Sequence, residues 1–179
     1  MKPTPDDILP QDLARLAVES FIMYGLRVPA PSAPRGVLTE HAAAFVTIRT
    51  KDGRLRGCIG TTEPSCVSVA DEVIQNAISA ATRDPRFVGV DTAELPFLSY
   101  GVDVLSPPEP ARGPEDLDPA LFGVIIETPD GSRRGLLLPG IGGIETVHAQ
   151  WHAVHEKAGI KPGTPVLVQR FTVRRFGKE

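Results

Sequence analysis

Residues 44–61 read AFVTIRTKDGRLRGCIGT, and this stretch decides the fold class. Ala44 to Thr50 is rich in β-formers. Lys51, Asp52 and Gly53 supply turn chemistry, and Leu55 to Ile59 resumes an extended pattern. Two such runs joined by a glycine-containing turn make a β-hairpin, so the sheet begins antiparallel.

Upstream, Leu13, Leu16, Ala17 and Phe21 fall at helical spacing between Gln11 and Tyr24, and Gly25 is a stop signal. Residues 27–41 carry Pro29, Pro31, Pro34 and Gly36 and read as an extended loop. Residues 1–10 hold three prolines and read as an arm, leaving 11–179 as one domain. Downstream, Ser65 is placed to cap a helix running to about Arg83, with Ala70, Val73, Ile74, Ala77, Ile78 and Ala81 as its buried stripe. Pro85 ends it.

Ser99 to Leu105 alternates as a half-buried strand, and five prolines in residues 106–119 make a second loop. Val124–Thr128 and Gly135–Leu138 flank Pro129–Asp130–Gly131 as a second hairpin. A helix from about Glu145 to Ala158 stops at Gly159. Val166 to Phe176 closes the chain as one strand, with a bulge expected near Gln169, where the apolar alternation changes phase. Hairpins dominate the connections, so the class is α+β with a mainly antiparallel sheet and packed helices.

The chain has 179 residues, 41% hydrophobic and 23% charged, ordinary globular usage. A net charge of -3 lacks the basic excess that nucleic-acid binding calls for. No apolar run reaches the ~20 residues of a membrane span. Asp6 and Asp7 stand where a secretory signal would be apolar, so the expected location is cytoplasmic. Cys58 and Cys66 read as reduced thiols, and without a Cys-x-x-Cys pair no structural zinc is expected.

Four segments invite chemistry. In Leu55–Thr61, Gly57 and Gly60 bracket Cys58 and Ile59. Glycine lets another group approach the backbone, and Arg56 nearby would stabilise a thiolate, so Cys58 is a candidate nucleophile. The competing reading is a small buried hydrophobe, since no base is visible beside it. Cys66 reads as a packing residue in the first turn of its helix. Thr82–Arg83–Asp84–Pro85–Arg86–Phe87 offers an Asp–Arg brace, or an Arg86 fork for a carboxylate or phosphate. Arg133–Gly140 opens a buried strand, and the glycines after it lack the lysine and Ser/Thr of a phosphate loop. His148, His152 and His155 share a helix, but Ala149 stands where a zinc protease needs glutamate, so the reading is a surface helix and no metal site.

The LRGCIGT segment, residues 55–61, resembles the signature of the AMMECR-type domain family, named for a human gene in the chromosomal region of a syndrome with Alport nephritis and elliptocytosis. Phe45–Val46–Thr47, Asp84–Pro85–Arg86–Phe87, Glu94–Leu95, Val104–Leu105–Ser106, Arg134–Pro139 and Lys157–Ala158–Gly159 continue it in register over residues 12–176. The resemblance implies an α+β fold with a larger and a smaller lobe and a cleft lined by the signature. It implies partnership with Memo-like and radical-SAM proteins, and it names no cofactor. The positions it carries over are Arg56, Gly57, Cys58, Gly60, Asp84, Arg86 and Phe87. After Leu138–Pro139 this chain has Gly140–Ile141 where many members have Gln–Val.

Two functional readings follow. In the first the domain is an enzyme with Cys58 as the catalytic residue, and Arg56, Gly57, Gly60, Thr61, Asp84 and Arg86 form the site for a small anionic ligand. In the second it is a non-catalytic module whose signature shapes a ligand or peptide groove.

Overall fold

The computed structural model describes residues 4–177. The chain divides into two compact units. The first runs to Val104 and is rejoined at Arg174; the second spans Leu105–Val173.

In the first unit, helix α1 (Pro10–Tyr24) starts with proline at its first position and ends on Gly25, whose φ of 65° suits glycine. Leu13, Ala14, Ala17 and Val18 are its buried face. Strands β1 (Ala44–Thr50) and β2 (Leu55–Gly60) form the expected hairpin, with Thr47 opposite Cys58. Ala44, Val46 and Ile48 turn to the core; Phe45, Thr47 and Arg49 turn to the other face, the period-two pattern of a sheet covered on one side. Helix α2 (Val69–Thr82) packs Val69, Ala70, Val73, Ile74, Ala77 and Ala80 into the same core. Its cap is Ser68, which accepts from the Asp71 N–H, and not the expected Ser65, whose hydroxyl is engaged by Glu72. Strand β3 (Leu98–Leu105) pairs antiparallel with β1.

In the second unit, β4 (Glu109–Ala111), β5 (Gly123–Glu127), β6 (Arg134–Leu137) and β7 (Leu167–Phe171) form an antiparallel sheet in the order β4-β7-β5-β6. Helix α3 (Val147–Ala158) runs between the Thr146 cap and Gly159, and its Val154 joins Val124, Ile126, Leu137 and Val168 in a second core.

The chain closes with β8 (Val173–Gly177), which completes the first sheet in the order β2-β1-β3-β8. The expected single strand over 166–176 with a bulge near Gln169 is therefore two strands broken at Thr172. The Thr172 N–H donates to Ser106 Oγ at 3.0 Å and its carbonyl accepts from the Ser106 N–H at 2.9 Å. Those bonds lie outside either ladder, and the strand changes sheets there. The phase change falls earlier, inside β7, where Val168 and Phe171 are buried on opposite faces of an unbroken ladder. The proline-rich stretch 106–119 is not loop throughout: it holds β4, whose three residues pair with β7.

Candidate functional site

Cys58 sits on β2, the edge of its sheet, on the face turned away from the core helices. The thiol is half-buried, and Sγ lies 3.3 Å from Thr47 Oγ1 across the hairpin. Its backbone turns toward the open edge. The Cys58 N–H donates to Asp84 Oδ2 at 2.8 Å, and its carbonyl accepts from Arg86 Nη2 at 3.4 Å. The turn after α2 thus brings two side chains to the place a further strand would occupy.

Asp84 is 4% exposed. Oδ1 accepts from the Arg86 N–H and Nε at 3.1 and 2.9 Å, and Oδ2 accepts from Arg86 Nη2 at 2.7 Å besides the Cys58 N–H. The Arg86 guanidinium holds its carboxyl well below the usual carboxylate range; burial opposes this, and the N–H groups of Cys58 and Arg86 add to it. Arg86 itself is raised, first by its bond to Asp84, against desolvation, and further by the charge of Asp84 and the nearness of Cys58. Its side chain is 54% exposed. Nη1 has no hydrogen-bond partner among the described residues.

Arg56 was expected to lend its charge to the thiol, and the structure gives that charge other partners. Nε and Nη2 fork onto Glu94 at 2.7 and 2.8 Å, while Nη1 and Nη2 donate to the carbonyls of Val88 and Gly89. Glu94 raises Arg56 and is lowered by it. The guanidinium groups of Arg56 and Arg86 lie 5.9 and 5.6 Å from the ring centre of Phe87.

The remaining signature positions are taken up by neighbours within the fold. A Cβ on Gly57 would stand 2.2 Å from the Ala80 carbonyl oxygen, so glycine lets β2 lie against α2. A Cβ on Gly60 would meet the Phe45 ring at 2.2 Å, so the missing side chain makes room for that ring on the Cys58 face. Thr61 Oγ1 donates to Glu72, a fully buried carboxylate that also accepts from the N–H groups of Ser65 and Cys66, the Ser65 hydroxyl and Asn76 Nδ2. Those donors keep Glu72 lowered although burial, the largest influence, pushes the other way. Of the seven residues proposed from sequence, Cys58 and Arg86 keep a group free for another molecule.

Two residues missed by sequence reading complete the scaffold. Glu94 was visible only as part of a family block. Glu72 gave no local signal: it lies off the apolar stripe of α2, on the Asn76 side of the helix, and is buried by the segment that holds Thr61, Ser65 and Cys66. Cys66 is also half-buried, and burial, its largest influence, raises its thiol, while the Ser65 hydroxyl opposes and Glu72 adds to the rise.

In the second unit, His148 and His152 are exposed on α3, and His155 is buried with Nδ1 2.9 Å from the Trp151 carbonyl and its ring against that indole. Among the described residues, no group of three or more His, Cys, Asp or Glu is arranged to hold a metal. No helix there is long and apolar enough to cross a membrane.

With this fold and site in view, the comparisons give the class. Residues 11–179 match the AMMECR1 family, and the chain belongs to it. A Thermotoga maritima protein is 46% identical over 161 residues, covering 89% of this chain and 91% of its own length. A Clostridium acetobutylicum protein is 44% identical over 90% of this chain, which spans 35% of that longer protein. The crystal structure of PH0010, an uncharacterized protein from Pyrococcus horikoshii, matches with a TM-score of 0.85 at 30% identity, over 95% of this chain and 90% of that one.

Proposed function

We propose that this AMMECR1-family chain is a thiol-dependent enzyme. In this reading Cys58 supplies the nucleophile, Arg86 holds an anionic group of the substrate, and Memo-like and radical-SAM proteins act in the same pathway. The observation that carries it is the division of labour around Cys58. Its backbone groups are engaged by Asp84 and Arg86, while the half-buried residue carries its sulfur on the outer sheet face beside the Thr47 hydroxyl. A strand fixed at both backbone groups holds a nucleophile in one place, which is what a covalent step needs. The partner proteins rest on the family resemblance. The longer Clostridium relative supports a domain that works beside others.

A second reading has one observation in its favour. The hydrogen-bond partner of Sγ among the described residues is a threonine hydroxyl, and no imidazole or carboxylate is bonded to it. A binding module needs no such base.

Complementation separates the two. A strain lacking this chain is supplied with wild type, C58S or C58A, each shown to be folded. The enzyme reading expects C58S and C58A to fail alike and the same metabolite to accumulate. Full rescue by C58A would leave the module.

A further inference from the structure

We infer that Asp84 is the positioning residue of the Cys58 site: one buried carboxylate fixes both the strand beneath the thiol and the cation beside it. This rests on the reading of Cys58 as the reactive group.

An edge strand presents unpaired N–H and C=O groups, and its backbone is free to shift unless something takes them. At Cys58 both outward groups are taken by side chains from the turn after α2. Asp84 accepts the N–H directly, and Arg86, itself held by Asp84 through Nε and Nη2, donates to the carbonyl. Both Asp84 oxygens are used, each accepting two hydrogen bonds, so the carboxylate has no capacity for a ligand. Its contribution runs through its neighbours. Without the fork, Arg86 is a long side chain, 54% exposed, with open solvent to move into. With it, the guanidinium lies across the Cys58 carbonyl, on the strand that carries the thiol. A cation held near a sulfur favours the thiolate, the form that reacts.

The test is the pH–rate profile of iodoacetamide alkylation on the native protein, with the Cys58 and Cys66 peptides quantified in the same digest. Cys66 is the internal reference, because global loosening speeds both thiols. Wild type is compared with D84N, which is isosteric, and with R86Q, R86K and D84N/R86Q. D84N and R86Q are each expected to slow Cys58 alkylation about three- to tenfold relative to Cys66 at neutral pH. Cys66 stays in place, and R86K restores part of the rate. The double variant is no slower than the slower single, because both act through one cation.

Removing a negative charge alone would speed Cys58 in D84N, so a faster Cys58 in that variant overturns the inference. So does a Cys58-to-Cys66 rate ratio within about twofold of wild type in both single variants, or a change common to both cysteines at every pH. A wild-type Cys58 inert across the whole range would instead remove the reading on which the inference stands.

Discussion

At Gly57 the space for a side chain is already taken by backbone. A Cβ there would lie 2.2 Å from the Ala80 carbonyl oxygen, and a helix carbonyl does not swing aside. Gly57→Ala therefore pushes β2 off α2, and the expected cost is about 1–3 kcal/mol, read as a lower urea midpoint. A variant as stable as wild type would show that β2 is not seated as described. Gly60 differs: its obstacle is the Phe45 ring, which can rotate, so the same substitution there tells on the face around Cys58 more than on stability. Sequence alone singled out both glycines and asked what approached them. It left open that a helix and a ring, both from this chain, are the answer.

The elements that pair locally were legible. The 44–60 hairpin and helices α1, α2 and α3 announce themselves by alternation, helical spacing and glycine stops within one short window. What sequence missed depends on distant partners. Strand β4 is three residues long and exists because residues 168–170 lie beside it. The break at Thr172 depends on Ser106, 66 residues away. In the candidate site, Cys58, Asp84 and Arg86 were named from their blocks. Their joint geometry is set by bonds across 26 and 28 residues, and no local pattern encodes that. Arg56 went the other way. Its position two residues before Cys58 suggested service to the thiol, and a bond spanning 38 residues ties it to Glu94.

For the molecule as a whole, the carboxylates that tie its segments together set its response to acid. Asp84, Glu72 and Glu94 are all lowered by hydrogen bonds made in the folded chain, with Arg86, Thr61 and Arg56 prominent among the donors. Their folded values lie below their unfolded ones, so the unfolded chain binds more protons across the interval and stability rises with pH. That contribution is complete above about pH 5 and drains away as pH falls through the carboxylate range. Urea midpoints measured from neutral pH downward should fall steeply for wild type and less steeply for D84N, whose residue 84 no longer titrates. Equal slopes would remove Asp84 from this account. The functional claim turns on one sulfur, and mass spectrometry of the native protein after brief iodoacetamide treatment reaches it most directly. Cys58 should be carbamidomethylated at neutral pH ahead of Cys66, whose thiol is raised by burial. A Cys58 that takes up label only once denaturant is added would contradict the account.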